Sequence, residues 1–233
     1  QWEDLGVDTI CVSAIACNRD FDRLQSIRAA VDCSLQLIVN AACLLNCAWE
    51  PTHMQLLTQS SRAGDPGRGF CLDYCMLNCS HRRLENPVNF VRCAWIRPED
   101  LDHYEDAGYD NFKIVERSCP TDLLVKRVTA YAGRRFDGNL YELVAPMASI
   151  KKELDASWFT RLRMLVSMAR PGKIKPSSLK RIYDYVKTVI PHEFERHSAP
   201  VYIDNAVLNA FLARAKKHRC GMENCDACGI CRH

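Results

Sequence analysis

The sequence predicts an α/β fold: a partial or truncated (β/α) TIM-like barrel, followed by a helical C-terminal region and a cysteine-rich tail. Three observations predict it. Short apolar, β-branched runs alternate with segments of helical period through roughly the first 145 residues. From about Ser149 the pattern is helical only, and four cysteines close the chain. Fully apolar short strands between helices argue for a parallel sheet covered on both faces.

The elements follow in order. Asp8–Ser13 is the first strand. Asn18-Arg19-Asp20 offers a cap to a helix with Phe21, Leu24, Ile27, Ala30 and Val31 at helical spacing. Leu35–Val39, Cys93–Ile96 and Asn111–Val115 are the next strands. Pro98-Glu99-Asp100 suits a first helical turn, with Pro early and acids at the positive helix end. After the fourth strand, Pro120 opens a helix carrying Leu123, Leu124, Val128 and Tyr131. A weak repeat supports the unit: Gly6 and Gly108 each stand two residues before an Asp and a strand, where Gly ends a helix in a β/α unit. Four units make half of an eight-unit barrel, so either the sheet is open or its other half lies before Gln1 or in another chain. Trp158–Ala169, Ser177–Val189 and Asp204–Lys217, with Asp204 as N-cap, form the helical region. The domains are therefore residues 1–148, 149–219 and 220–233.

Fourteen cysteines stand in 233 residues. A disulfide scaffold is disfavoured, because a chain of this length and 48% hydrophobic content buries a core without staples. Reduced thiols in the cytoplasm are expected. The most apolar stretch, Leu35–Trp49, is too short to span a bilayer and holds Asn40 and Asn46, so no membrane is expected. A net charge of +3 does not by itself argue for nucleic acid. Arg170, Lys173, Lys175, Lys180 and Arg181, and again Arg214, Lys216, Lys217, His218 and Arg219, could meet RNA phosphates or form solvated helix faces.

The grouping of the cysteines carries the chemistry. Cys43 and Cys47 sit on a loop after a strand, where α/β sheets place their sites. Cys71, Cys75 and Cys79 follow the Gly64–Gly69 loop, and on a helix they would share one face. Five thiols are available here and four are needed for a cluster or metal. Cys220, Cys225, Cys228 and Cys231 form a second group, whose overlapping spacing favours an iron-sulfur cluster with zinc as the alternative. Cys11, Cys17, Cys33, Cys93 and Cys119 are expected to be small core residues.

Residues 35–145 resemble the collagenase-like peptidase family U thirty-two. The residues that carry the resemblance are Val39-Asn40-Ala41-Ala42-Cys43-Leu44-Leu45-Asn46-Cys47 followed by His53, and Asp73-Tyr74-Cys75-Met76-Leu77-Asn78-Cys79. They continue with Trp95-Ile96-Arg97-Pro98-Glu99-Asp100-Leu101 and Phe112-Lys113-Ile114-Val115-Glu116-Arg117. Tyr202-Ile203-Asp204-Asn205 is similar to one branch of the family. The resemblance implies a β/α barrel with a [4Fe-4S] cluster on Cys43, Cys47, Cys75 and Cys79, Cys71 being the competing ligand. It also implies oxygen-independent hydroxylation of a small molecule or RNA, with an electron donor as partner. A peptidase, as the family is named, and a non-catalytic zinc scaffold are the alternatives. No zinc-protease or serine-hydrolase motif occurs in the sequence.

Arg97, Lys113 and Arg117 fall at strand C-terminal ends, where they could hold an anionic substrate. Pairing of Arg97 and Lys113 with Glu99 and Glu116 is the structural alternative. Glu116 is the candidate general base, so Arg97, Glu116 and Arg117 are the candidate catalytic residues. His53 is a candidate proton donor, a cluster neighbour or a polar residue on a half-buried helix, and His81 a solvated one.

Overall fold

The computed structural model describes residues 2–60, 79–115, 121–144, 201–217 and 228–232. Contacts divide the chain into two compact units, residues 1–47, 88–146 and 201–233, and residues 48–87 and 147–200.

The first unit is built on three parallel strands, β1 (Thr9–Cys11), β2 (Ser34–Ile38) and β3 (Asn111–Lys113), in that spatial order. The register pairs Ile10 with Leu35 and Leu37 with Phe112 on one face, and Cys11 with Gln36 and Asn111 on the other. On the first face Leu35 and Leu37 are buried; on the second Thr9 and Cys11 are exposed, while Gln36, Ile38 and Asn111 are half-buried. On the other face the Gln36 amide donates to Asn111 Oδ1 at 2.9 Å. Ile38 on this face packs against Ala14, Leu45 and Ala94, and Cys11 is exposed on an edge strand, not a core residue. Cys17 and Cys93 are buried as expected, Cys33 is half-buried, and Cys119 lies outside the described residues.

α1 (Ala14–Cys17) and α2 (Phe21–Ala30) connect β1 to β2. Asp20 caps α2 through its side chain, which accepts from the Arg23 amide at 3.0 Å, so the predicted cap is the observed one. Phe21 and Leu24 face the sheet and join Leu35, Leu37, Val39, Ile96, Leu101, Tyr104 and Tyr109 in the main core. Two buried tyrosines place their hydroxyls on backbone carbonyls, Tyr109 on Leu24 at 2.7 Å and Tyr131 on Ile96 at 2.9 Å. A short helix α5 (Val88–Val91) leads into residues 93–97. The expected helical turn is a 3-10 turn at Pro98–Asp100, running directly into α6 (Leu101–Glu105). α7 (Thr121–Ala132) and α8 (Tyr141–Val144) follow β3. In the second unit, α3 (Glu50–Ser60) and α4 (Ser80–Glu85) are described.

Cys93–Ile96 is not a strand of the sheet, because β3 pairs with β2 directly and occupies the edge the segment would need. Residues 93–96 instead run back along the loop after β2, with an antiparallel bridge between Leu44 and Cys93. The expected helix Asp204–Lys217 is broken into a 3-10 turn at Ala206–Leu208 and α9 (Phe211–Lys217). The N-cap is Asn205 and not the expected Asp204, which stands one residue earlier and accepts from the Ala206 amide at 2.9 Å. The helices expected at Trp158–Ala169 and Ser177–Val189, and the Gly64–Gly69 loop, lie outside the described residues.

Gly6 (φ 76°) and Gly108 (φ 86°) both adopt the left-handed conformation just before β1 and β3, as the repeat predicts. A Cβ at Gly6 would meet nothing, but one at Gly108 would stand 2.9 Å from Cδ of Arg28. Gly6→Ala should therefore cost only the left-handed penalty of about 1 kcal/mol. Gly108→Ala should cost measurably more, because the Arg28 side chain must also shift, and paired urea unfolding curves check the difference.

Candidate functional site

Residues 93–97 are held by groups that reach across the fold. Cys93 O accepts from Arg19 Nη2 at 2.7 Å, Ala94 O from the Asn18 amide, and Ile96 O from the Tyr131 hydroxyl. The Ile96 amide donates to Val39 O and the Ala94 amide to Cys43 O, both at 2.8 Å. Every buried peptide group needs a partner, and side chains here replace a neighbouring strand. The result is a stiff seam that lies against the loop carrying Cys43 and Cys47.

That loop begins where β2 ends. Asn40 is 5% exposed, and its amide both accepts from and donates to the backbone of Val115, tying the end of β2 to the segment after β3. Leu45 N donates to Arg92 O at 3.3 Å and Asn46 N to Ile15 O at 2.9 Å. Asn46 takes a positive φ of 51°, a conformation Asn tolerates better than most residues. Cys43 and Cys47 are both half-buried, each at one end of this pinned turn. They supply two thiols of the four that a cluster needs. Cys79 belongs to the second unit and is half-buried. Cys71 and Cys75 lie outside the described residues. Among the described residues no three His, Cys, Asp or Glu side chains converge as a metal site.

The tail is represented by Cys228 and Cys231, with Cys220 and Cys225 outside the described residues. Gly229 between them has φ 64°, so the chain turns between the two sulfurs. Cys228 is exposed, while Ile230 and Cys231 pack against the cluster of Phe90, Cys93, Trp95, Leu140 and Phe211. No disulfide joins any two of the described cysteines. A pair of thiols flanking a left-handed glycine, docked on the same unit as Cys43 and Cys47, is compatible with a thiolate-bound metal at the chain end.

Arg97 is 1% exposed and fully engaged. Its Nε donates to Asn205 Oδ1 at 2.8 Å, Nη2 to Asn209 Oδ1 at 2.9 Å, and Nη1 to the Leu208 carbonyl. Glu99 lies 3.5 Å from Nε and Asp100 4.0 Å from Nη1. This is the internal ionic pairing that the sequence leaves open beside a substrate-binding role. It also explains the broken helix, since Arg97 takes the Leu208 carbonyl and the Asn209 side chain at the break. Asn205 completes the clasp, its amide donating to Glu99 and to Phe136 O at 2.6 Å. Asn139 pins the same segment from the other side through Val201 and Ile203.

The remaining site residues divide clearly. Lys113 is exposed at the end of β3. Glu116 and Arg117 lie outside the described residues, as does the side chain of His81. His53 is half-buried on α3 of the second unit. Of the two basic clusters only Arg214, Lys216 and Lys217 are described, and Lys216 lies 4.0 Å over the Phe21 ring. A groove of about 580 Å³ runs along β3 and α7 between Leu101, Phe112, Ile114, Val128 and Tyr131, and among the described residues it has Asp110 as its one carboxylate and no cysteine.

Sequence reasoning missed Asn18 and Arg19. Both are buried at the C-terminal end of the sheet, and both hold the seam. Their position just past a predicted strand was the available signal, but next to Asp20 they read as a helix cap. Asp100 is a buried carboxylic acid beside Arg97: burial pushes its carboxyl above the usual range, partly opposed by Arg97.

Compared with known proteins, the chain is 34% identical over 143 residues to an uncharacterized protease of the archaeon Methanocaldococcus jannaschii. The match takes in 61% of this chain and 42% of that protein, so the chain spans less than half the length of this relative. At a coarse level the similarity is to a peptidase-like protein. No family model matches the chain, and no solved structure does. Among the described residues no helix is long and apolar enough to cross a membrane.

Two outcomes follow from the Arg97 clasp. Arg97→Ala strands Asn205, the Leu208 carbonyl and Glu99, and should cost about 3–5 kcal/mol in urea unfolding. Limited proteolysis should then cut first within 201–217. The raised pKa of Asp100 means the folded state favours its protonated form. Stability from this residue is thus present at low pH and is lost as pH rises from the ordinary aspartate range through the raised value. Asp100→Asn should flatten that part of the stability–pH curve and raise stability near neutral pH relative to wild type.

Proposed function

We propose that the chain is a thiolate-bound iron-sulfur protein that carries out oxygen-independent hydroxylation, or a related redox modification, of a small organic molecule or RNA. The observation that carries this reading is the Cys43–Cys47 turn. It stands at the C-terminal end of a parallel strand, pinned by backbone bonds to Arg92, Ala94 and Ile15, with both thiols half-buried. Such rigidity suits a ligand loop, because a thiolate that must hold a metal gains from a backbone that does not move. The further thiols of the 71–79 stretch supply the rest of the donor set in sequence, and the tail Cys220, Cys225, Cys228 and Cys231 a second one, for iron-sulfur or zinc. When bound, a cluster supplies one-electron chemistry, tuned by hydrogen bonds to its sulfurs and by solvent access. The chain itself supplies the turn and the seam behind it. Arg97 supplies the clasp on 201–209, which leaves Glu116 and Arg117 as the candidates for proton transfer and substrate binding. Reduced thiols of this kind suit the cytoplasm. Further partners are an electron donor and, for a sheet with three strands among the described residues, another chain that extends it into a barrel.

The name of the archaeal relative favours a second reading, hydrolysis of a peptide bond. A non-catalytic zinc scaffold is the third, favoured by the Gly229 turn between Cys228 and Cys231.

Metal and acid-labile sulfide analysis with a visible spectrum, on protein purified without oxygen, separates the three. Iron and sulfide in near-equal amounts, at about four or eight irons per chain, support the first reading. Cys43→Ser with Cys47→Ser should then remove one cluster's iron and leave the fold's circular dichroism intact. Zinc alone, without visible absorption, overturns redox chemistry and leaves the scaffold. Hydrolysis of gelatin by metal-free protein would transfer the assignment to a peptidase.

A further inference from the structure

Arg19 is 3% exposed and, among the described residues, has no carboxylate within ion-pair distance. One hydrogen bond holds it, from Nη2 to Cys93 O at 2.7 Å. The adjoining rings of Trp95 and Phe211 lie against it, their centroids 4.6 and 4.8 Å from Cζ and 5.9 Å from each other. Nη1 is buried and donates to nothing. Asn18, the residue before it, repeats the pattern. It is wholly buried, its amide nitrogen is engaged with the Ile38 and Ala94 carbonyls, and its Oδ1 accepts nothing. The Asn amide cannot be turned over to cure this, since Nδ2 already donates twice.

Arg97 shows what a completed arginine looks like in the same unit, with all three nitrogens engaged and two acids at hand. Arg19 is the contrast. A buried guanidinium without a counter-ion is destabilising, and buried donors are nearly always bonded. The two rings offset part of the desolvation but offer Nη1 no lone pair. Asp100 feels the charge of Arg19 from beyond ion-pair distance. One orphaned donor and one orphaned acceptor therefore stand on consecutive residues where β1 and β2 end, the edge at which parallel α/β sheets bind ligands.

We propose that Arg19 binds a small oxyanion, a carboxylate or phosphate group, whose own O–H is accepted by Asn18. A hydroxy acid and monohydrogen phosphate both have this chemistry: an anionic oxygen for Nη1 and a hydroxyl for Oδ1. Arg19 supplies the charge and direction, Trp95 and Phe211 support it on one side, and Asn18 discriminates ligands with a hydroxyl from those without. The proposal does not depend on what the cysteines carry.

Calorimetric titration of the full chain with inorganic phosphate, glycolate and acetate, at constant ionic strength in chloride buffer, tests it. Saturable one-site binding of phosphate or glycolate is expected, with acetate weaker, and the stronger ligand identifies the source of the anion. Arg19→Met, which keeps the bulk and removes the charge, should fold and bind at least about tenfold more weakly. If that variant does not fold, the Arg19 side-chain nitrogen resonance of the wild-type protein decides, and it should shift on saturation with the anion. Absence of saturable binding in the wild type, an unmoved Arg19 resonance, or full binding by Arg19→Met each overturns the proposal. Because no readout involves sulfur or iron, its failure is distinguishable from failure of the iron-sulfur reading.

Discussion

The hydrogen bonding of residues 93–97 is the constraint on which the rest of the first unit depends. This segment has the composition of a central strand but no strand beside it in the sheet. Asn18, Arg19 and Tyr131 satisfy its carbonyls, while its amides reach Val39 and Cys43. One short stretch thereby connects the helix after β1, the loop after β2, and α7. At its end Arg97 turns away and seizes residues 205–209. Remove the seam, and the Cys43–Cys47 turn, the C-terminal clasp and the tail lose their common support.

Arg97 and Arg19, two of the four buried arginines among the described residues, divide the labour of the site. Arg97 is neutralised and saturated with partners, so its energy goes into holding chain segments together. Arg19 lies against two adjoining rings, and its buried Nη1 has no acceptor among the described residues. Burial alone does not separate these roles, since both are almost wholly enclosed. The partners do, because acids and amides engage every nitrogen of Arg97, whereas the rings beside Arg19 offer Nη1 no lone pair.

The thiols are arranged with similar economy. Cys43 and Cys47 stand on a turn held by two of its amides and the Cys43 carbonyl, and Cys228 and Cys231 flank a glycine that lets the chain reverse. Both pairs belong to the unit built on the parallel sheet, although almost the whole chain separates them in sequence. Docking of Ile230 and Cys231 on the Trp95–Phe211 cluster brings the chain end back to the core that the seam defines.

Sequence by itself determined the local features. Asp20 as a cap, Gly6 and Gly108 as left-handed stops, Pro98 as a helical opening and the three paired strands were all legible, because each rests on backbone preferences of a few neighbouring residues. The grouping of the cysteines was legible for the same reason. Tertiary structure alone decided three matters: that Cys93–Ile96 is a seam and not a strand, that Arg97 is a clasp, and that Asn18 and Arg19 belong to the site. Each turns on a partner between 20 and 112 residues away, such as Ile38 for Asn18 or Asn209 for Arg97. Hydrophobic period cannot report such partners. It tells which residues leave water, and only the folded chain tells which polar groups meet there.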